Sequence, residues 1–301
     1  MNIPTSFRPM LAVNYNNVKV QPKVRVVSEK LNGVRVLFFG GVAYSRSLIP
    51  LPNKTIQALA HNNVDVLEGC DGEVIAGLLH AEDVLHRTTS LCMKKDKVDD
   101  FYIYLFDCYH LSNIWIDRYK SLLLLSLPKK VKILEQFSLD GEINLPIVIL
   151  EEFEQYILSQ GGEGVIIRDI YSKYKCNRSG KVVPELQKVK RFTDSEFLVV
   201  SYNAYETNYN EATINGCGLS KRSTSKKGKR VVEILGSLTL ALQNGSTFSV
   251  GSGMTIQERE ELWLIRDTLI GKMVKVKYFM LSPDSIPLLP TFLGIRNDLD
   301  M

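Results

Sequence analysis

The stretch SEKLNGVRVLFF, residues 28–39, decides the fold that we expect for this chain. It places one lysine, Lys30, before Leu-Asn-Gly and a run rich in Val, Leu and Phe, which predicts a buried strand. Gly33 allows the backbone to turn tightly before that strand, and Arg35 lies at its start. The sequence therefore predicts an amine at the lip of a cleft, with a guanidinium beside it.

An amine in such a position could act as a nucleophile. At a reference pKa of about 10.4, almost every lysine is protonated at neutral pH and cannot attack. A neighbouring positive charge and partial burial both favour the neutral amine, so the setting predicts that Lys30 can be activated. The alternative is a surface lysine at the start of a strand, which is the commoner case for a lysine considered alone.

The segment Lys30-Leu31-Asn32-Gly33-Val34-Arg35 resembles the Lys-x-Asp-Gly-x-Arg motif of the covalent nucleotidyltransferases, with Asn32 in place of Asp. These comprise the ATP-dependent DNA ligases, the RNA ligases and the mRNA capping enzymes. The family's other motifs follow in order as Ser45-Arg46, Asp71-Gly72-Glu73, Phe106-Asp107, Glu163-Gly164, Tyr174-Lys175, Lys188-x-Lys190 and Arg296-x-Asp298. The chain is thus identified as a small ATP-dependent DNA ligase of the phage or large-DNA-virus type.

The resemblance implies which residues handle the nucleotide. Lys30 would be the covalent nucleophile, and Lys188 and Lys190, on one face of a strand, would grip the α-phosphate. Lysines on the solvent face of a strand would show the same spacing. The residues implied to bind the cofactor ATP are Glu29, Arg35, Glu73, Phe106, Glu163 and Arg296.

Particular roles follow from the same resemblance. Glu73 would accept a hydrogen bond from a ribose hydroxyl, Phe106 would stack on adenine, and Arg296 would orient the pyrophosphate leaving group. Asp107 and Glu163 would bind Mg²⁺ or Mn²⁺, since Mg²⁺ needs few protein carboxylates when waters and phosphates complete its shell.

Nicked duplex DNA is the expected partner. Arg46 and Arg178 are the residues implied to contact its phosphates. The run KRSTSKKGKR, residues 221–230, holds six basic residues and no acidic one, which predicts a mobile loop that binds a phosphate backbone. A solvated loop without a partner is the alternative. The basic residues of this run are Lys221, Arg222, Lys226, Lys227, Lys229 and Arg230.

The expected fold class is α+β. The resemblance implies an ATP-grasp-like nucleotidyltransferase domain over residues 1–191, with antiparallel sheets and flanking helices. An OB-fold β-barrel would follow over residues 192–301, with its DNA-clasping loop near 217–230. The residue patterns agree with this division, because short strands separated by basic or Gly/Ser-rich loops follow Arg191. Thr255-Ile256-Gln257-Glu258 predicts a capped helix that runs towards Leu269.

Smaller elements are also predicted. Gly40-Gly41 indicates a hairpin turn, and helices are expected over residues 55–61, 121–127 and 148–159. In the turn that resembles Tyr-Lys-x-Gly-Arg-Ser, Asn177 replaces Gly. Since Asn tolerates positive φ better than most residues, this replacement should be mild.

The expected location is the cytoplasm, either for a phage or viral protein that acts in the host cell or for a protein associated with the nucleoid. The chain has 301 residues, 45% of them apolar, and a net charge of +4. Neither a signal peptide nor a bilayer-spanning run is expected. The cysteines, Cys70, Cys92, Cys108, Cys176 and Cys217, are scattered, so we expect reduced thiols and no zinc site. A monomer is expected.

The implied reaction has three steps: AMP transfer to Lys30, AMP transfer to a 5′-phosphate, and attack by the adjacent 3′-hydroxyl. Alternatives remain open. An mRNA capping guanylyltransferase or an RNA ligase shares the lysine motif, and Asn32 also leaves room for a relative that binds nicks without sealing them. Replacing a carboxylate beside Lys30 removes one negative charge from a cationic site, and we expect adenylation to persist.

Overall fold

The structure, a computed structural model, describes residues 7–95, 98, 100–190, 192–215, 220–279, 281–282 and 284–296. It divides into two compact units, Met1–Lys190 with Ile214–Ser220, and Arg191–Thr213 with Lys221–Met301. The first contains two five-stranded sheets with helices, and the second contains one five-stranded sheet with two helices. The predicted α+β class is confirmed.

The first unit has short strands and helices throughout. Its strands are β1 Met10–Leu11, β2 Val13–Asn14, β3 Arg25–Glu29, β4 Val34–Phe39, β5 Val42–Tyr44, β6 Cys70–Ala76, β7 Phe101–Cys108, β8 Val131–Ile133, β9 Phe137–Ser138, β10 Val165–Asp169, β11 Asn177–Arg178 and β12 Leu186–Val189. Its helices are α1 Lys54–Asn62, α2 Val64–Leu67, α3 Val84–Met93, α4 Trp115–Leu123 and α5 Leu150–Ser159. None of the helices in the described ranges is both long and apolar enough to cross a membrane.

The first sheet has the strand order β5-β4-β6-β7-β8. Strand β4 is the apolar run of the opening stretch, and β5 returns antiparallel to it, which confirms the predicted hairpin. Strand β6 pairs antiparallel with β4, so that Arg35 lies directly opposite Glu73. Opposed residues of an antiparallel pair share one face of the sheet. Register therefore places two of the predicted site residues side by side.

The second sheet has the order β2-β12-β10-β3-β9. Ser28 lies opposite Ile166, and Ile166 lies opposite Lys188. One residue along the strands, Val27 and Ile167 pack with α5 in an apolar cluster. Because side chains alternate along a strand, the row from Ser28 to Lys188 faces away from α5.

Two helices differ from their predicted form. Helix α5 begins at Leu150, two residues later than expected, and buries Phe153 and Ile157. Helix α4 begins before the expected 121–127 run and ends within it, because Trp115, Tyr119 and Leu122 recur at helical spacing and form its buried face.

The turn around Asn177 is confirmed. Asn177 has a φ of 68°, in the left-handed region that few residues other than Gly and Asn adopt at low cost. It lies in β11, which pairs in parallel with β1, opposite Met10. This pairing fixes the segment that contains Met10 to the turn that carries Arg178.

After Lys190 the strands are β13 Thr193–Asn208, β14 Ala212–Ile214, β15 Ser220–Arg222, β16 Lys229–Ala241, β17 Thr247–Val250, β18 Met273–Tyr278 and β19 Thr291–Ile295, and the helices are α6 Ile256–Leu264 and α7 Arg266–Leu269. Ile214 of β14 and Ser220 of β15 belong to the first unit, and the other residues of these elements belong to the second. The main sheet of the second unit has the order β17-β16-β13-β18-β19. An isolated bridge between Ser252 and Thr291 links the β17 side to β19. A closed barrel was expected, whereas the described strands form an open sheet with this bridge between its edges.

Local signals in the second unit have mixed outcomes. The predicted capping box is confirmed, because Thr255 accepts from the Glu258 backbone while Glu258 accepts from that of Thr255. The basic run, expected as a mobile loop, instead contains part of β15, a 3-10 turn and the start of β16. The Asn210 side chain donates to the carbonyl of Ser225 at 2.8 Å, which fixes this segment. Cys217 and the other residues at 216–219 lie outside the described residues, as do Arg191, Asn297 and Asp298.

Candidate functional site

A cleft of about 410 Å³ in the first unit is lined by residues of both its sheets. Apolar walls come from side chains that include Leu31, Phe106 and Ile166. The polar residues predicted for the site that line it are Glu29, Lys30, Arg35, Arg46, Glu73, Arg178 and Lys188. A mixed apolar and strongly cationic cleft is suited to a ligand with a flat apolar part and an anionic part.

Lys30 lies at this cleft, directly after β3, where its backbone N–H donates to the carbonyl of Gly164 at 2.9 Å. Gly164 has a φ of 135°, and a Cβ there would lie 2.4 Å from the carbonyl oxygen of Val189. Only glycine therefore fits between these strands. The Glu-Gly element thus sets the position of the lysine backbone.

The amine of Lys30 donates to Glu163, whose other oxygen accepts from Lys190 at 2.8 Å. Burial acts to raise the pKa of Glu163, but the two lysines outweigh it, and the pKa is lowered. Glu163 therefore binds the two amines through its separate oxygens and fixes their positions.

Arg35 is held on the cleft wall and is not a free cation. Its Nε and Nη2 donate to the two oxygens of Asp71, at 2.7 and 2.5 Å, and its Nη1 donates to the carbonyl of Met10 at 2.9 Å. Its guanidinium carbon lies 5.2 Å from the centroid of the Phe106 ring. Such a bidentate pair fixes the guanidinium beside the ring and neutralises much of its charge.

Glu73 faces the cleft with a partly satisfied carboxylate. Its Oε1 accepts from the backbone N–H of Gly33 at 3.2 Å. A Cβ on Gly33 would lie 2.1 Å from the carbonyl of Val74, so glycine is needed for this close approach. Burial raises the pKa of Glu73 to about 7, against the opposing charges of Lys30 and Arg35.

The unneutralised positive charge of the site is centred on Lys188. Burial lowers the pKa of Lys188, and the charges of Lys30, Arg178 and Lys190 lower it further. No carboxylate in the described part of the chain forms an ion pair with it. Arg46 and Arg178 are exposed at the cleft. An anion bound between these cations would offset their mutual repulsion, so the cluster favours anion binding.

Asp107 was predicted to bind a metal, and its geometry does not fit that role. Its side chain is completely buried, and it is not among the residues that line the cleft. Arg118 Nε donates to Oδ1 at 2.7 Å, and Arg168 Nη1 donates to Oδ2 at 2.6 Å. Both oxygens are thus occupied by guanidinium groups.

Glu163 is the remaining predicted metal ligand. No group of three or more His, Cys, Asp or Glu side chains in the described ranges is arranged to hold a metal ion. A single carboxylate still suits Mg²⁺, provided that substrate phosphates and waters complete its shell. The donor set therefore fits a metal that arrives with a nucleotide and does not fit an all-protein metal site.

Two further residues predicted to bind the nucleotide are Glu29 and Arg296. Glu29 lines the cleft with its Oε1 2.8 Å from His80 Nε2. Burial raises the pKa of Glu29, and the hydrogen bond and charge of His80 only partly offset this rise. Arg296, in the second unit, pairs with Glu196.

The basic residues of the 221–230 segment also lie in the second unit, and they differ in how they are held. Lys221, Lys226 and Lys227 are exposed. Arg222 donates to the carbonyl of Asn210, and Lys229 pairs with Glu206 at 2.5 Å. Arg230 lies over the Tyr209 ring at 5.6 Å.

The sequence reasoning missed the residues that support the predicted ones. Tyr174 donates to Asp71 Oδ2 at 2.7 Å and accepts from the backbone of Met10 at 3.1 Å. Asp71 and Tyr174 belong to recognised motifs, so motif membership was an available signal. Gln136 also lines the cleft and belongs to none of the motifs.

Comparison with known proteins agrees with this geometry. A model of the DNA ligase OB-like domain matches residues 227–296. The chain is 25% identical over 288 residues to a DNA ligase of Haemophilus influenzae, covering 94% of this chain and 90% of the relative. It is 27% identical over 325 residues to a DNA ligase of African swine fever virus, covering 97% and 69%.

The chain is also similar to solved structures of DNA ligases. The chain superposes on a Lig E DNA ligase with a TM-score of 0.68 at 23% identity, covering 96% of this chain and 99% of that one, which concerns the fold alone. It superposes on a Chlorella virus DNA ligase-adenylate with a TM-score of 0.50 at 27% identity, covering 97% and 99%.

The two-unit fold and the lysine cleft thus accompany similarity to DNA ligases in a family model, in bacterial and viral relatives and in a solved ligase-adenylate. The similarity to bacterial and viral DNA ligases extends along nearly the whole length of this chain.

Proposed function

We propose that this protein seals nicks between a 5′-phosphate and a 3′-hydroxyl in duplex DNA, with ATP as the donor of AMP. The observation that carries the proposal is the convergence of Lys30, Glu73, Phe106 and Lys188 on one cleft. A nucleophile, a ribose acceptor, an aromatic face and a phosphate cation are the groups that transfer of a nucleotide to lysine requires. The similar Chlorella virus structure is itself a ligase-adenylate.

In the first step the Nζ of Lys30 forms a bond to the α-phosphorus of ATP, while the bond from that phosphorus to pyrophosphate breaks. The amine must first lose a proton to solvent. Glu163 orients the amine through its hydrogen bond to Nζ. Lys188 then stabilises the charge that develops on the phosphate oxygens.

The roles proposed for the other residues are based on where they lie in the cleft. Phe106 presents its ring to the base, held by the Arg35 guanidinium behind it. Glu73 accepts a hydrogen bond from a ribose hydroxyl, and Glu29, held by His80, lines the cleft beside the nucleophile. Glu163 is the residue that would contact Mg²⁺ or Mn²⁺, and such an ion supplies charge neutralisation at the phosphates. Arg296 is proposed to orient pyrophosphate.

In the later steps AMP passes from Lys30 to the 5′-phosphate of the nick, and the 3′-hydroxyl then displaces AMP. Arg46 and Arg178, exposed at the cleft, are proposed to hold the DNA phosphates. The exposed cations of the 221–230 segment would add contacts to the duplex backbone. We propose that the protein acts as a monomer in the cytoplasm of its own cell or of a host cell.

A sealing assay tests the proposal. Nicked DNA and nicked RNA duplexes with a labelled 5′-phosphate are incubated with the protein, Mg²⁺ and either ATP or GTP. We expect sealed DNA with ATP, and no product when ATP is omitted. Sealing of the RNA nick in preference would indicate an RNA ligase, label transfer from GTP in preference would indicate a capping guanylyltransferase, and binding to nicks without sealing would indicate a non-catalytic relative.

A further inference from the structure

Gln136 is a buried polar residue that lines the cleft, and the proposed reaction gives it no role. It is 5% exposed and lies between β8 and β9. Buried side-chain amides are normally hydrogen-bonded, so an amide with a free atom at a cleft needs an explanation.

Strand pairing fixes the position of Gln136. Val27 lies opposite Phe137 in the antiparallel pair of β3 and β9, so the next position in that register sets Ser28 opposite Gln136. Val27 and Phe137 belong to the apolar cluster on the α5 side of the sheet. Because side chains alternate along strands, Ser28 and Gln136 face the cleft, and both line it.

The same row leads across the sheet to the cations. Ser28 lies opposite Ile166, and Ile166 lies opposite Lys188. Adjacent strands are about 4.8 Å apart, so the backbones at Gln136 and Lys188 are separated by roughly 14 Å. This distance is within the reach of a nucleotide whose α-phosphate lies near Lys188 and whose base lies along the row near Gln136.

The orientation of the amide follows from its one bond. Gln136 Nε2 donates to the carbonyl of Leu134 at 3.3 Å. Reversing the amide would set two acceptor oxygens against each other, so Leu134 fixes the orientation. Within the part of the chain that the structure describes, no donor reaches Gln136 Oε1, which leaves an acceptor at the base end of the cleft.

We propose that Gln136 determines base specificity in the adenylation step, because its Oε1 accepts a hydrogen bond from the exocyclic amine of adenine. Guanine carries a carbonyl oxygen at that place, which would oppose another acceptor. The inference rests on the proposed function and adds to it the choice of purine.

Removing the two partners of the hydrogen bond in turn tests this assignment. Equilibrium affinity and the rate of label transfer are measured for ATP and for purine riboside triphosphate, which lacks the exocyclic amine. Both are measured in the unaltered protein, in Gln136→Met and in the exposed-site control Gln160→Met. Thermal unfolding establishes that each variant is folded.

We expect the unaltered protein and Gln160→Met to prefer ATP by about 3- to 10-fold, the value of one neutral hydrogen bond. Gln136→Met should treat both nucleotides alike and should discriminate less against GTP. An unchanged preference in folded Gln136→Met overturns the assignment, even if label transfer is normal. Loss of preference in binding, without any label transfer, supports Gln136 and instead refutes the proposed function.

Discussion

Asp107 and Arg168 form an ion pair in which Nη1 of the arginine lies 2.6 Å from Oδ2 of the aspartate. The carboxylate is completely buried, whereas the arginine lines the nucleotide cleft. Arg118 binds the other oxygen from within α4. Asp107 therefore affects the cleft by positioning Arg168. It was predicted to bind a metal, and its contacts instead give it a positioning role.

Asp107→Asn should destabilise the fold without altering metal dependence. Burial acts to raise the pKa of Asp107, but Arg168 and Arg118 lower it, and the substitution leaves two guanidinium groups without their anion. Breaking a buried pair in this way costs about 3–5 kcal/mol in the free energy of unfolding. Urea unfolding measures the loss, and a Mg²⁺ titration of adenylation tests the metal role.

The matched control is Asp83→Asn, which removes the exposed pair with Arg87. It should leave the free energy of unfolding nearly unchanged, because both partners are exposed to solvent. A raised Mg²⁺ requirement in Asp107→Asn, at unchanged stability, would restore the metal-binding interpretation.

Glu73→Gln should change how stability depends on pH. The pKa of Glu73 is raised by burial from 4.5 to about 7, so the folded chain holds a proton that the unfolded chain releases between these values. Stability from this group is therefore lost as pH rises through that window. Relative to the unaltered protein, Glu73→Gln should gain free energy of unfolding with rising pH, by up to roughly 1.4 kcal/mol per pKa unit.

Urea unfolding across this pH range checks the prediction, with Glu82→Gln as an exposed control. A constant difference between Glu73→Gln and the unaltered protein at all pH values would show that burial does not hold the proton on Glu73.

Substitutions of Lys188 and Lys190 should have different effects on the adenylation rate and on stability. Burial and neighbouring charges lower the pKa of Lys188, so its charged form costs stability at neutral pH. Lys188→Gln should therefore keep or raise the thermal midpoint while slowing adenylation by about 10²–10³-fold.

The companion variant Lys190→Gln breaks an ion pair with Glu163 and should lower the free energy of unfolding by about 1–2 kcal/mol. Thermal unfolding and single-turnover label transfer distinguish the two variants. Equal destabilisation with normal adenylation in Lys188→Gln would remove it from the phosphate site.

The triple variant Lys221→Gln, Lys226→Gln and Lys227→Gln should weaken binding to nicked duplex DNA and flatten its salt dependence. Each lost phosphate contact lowers the slope of log affinity against log salt by about 0.9. Fluorescence anisotropy over a salt series measures the slope. Neutralising the exposed Lys94, Lys95 and Lys129 together controls for net charge, and an equal change in that control would show that the 221–230 segment has no special role.

Features that depend on neighbouring residues could be predicted from the sequence. The positive φ of Asn177 and the capping box at Thr255 follow from the preferences of these residues and from short spacings. The Gly40-Gly41 hairpin follows in the same way. The order of motifs in the sequence also identified most of the charged residues that line the cleft.

Features that depend on distant partners could not be predicted. Arg35 has the expected position, but its pairing with Asp71 decides that it is not a free cation. Arg118 follows Asp107 by 11 residues. The two side chains meet because α4 begins at Trp115, earlier than predicted. Gln136 faces the cleft through strand register, which no motif records.

The central claim is that Lys30 carries AMP. Incubating the protein with ATP labelled at the α-phosphate and Mg²⁺, followed by a denaturing quench and peptide mapping at alkaline pH, tests this claim most directly. We predict a label that resists alkali and is released by acid, as a phosphorus–nitrogen bond is, on the peptide containing Lys30 and none in Lys30→Ala. Equal labelling of Lys30→Ala, or label confined to another peptide, would contradict it.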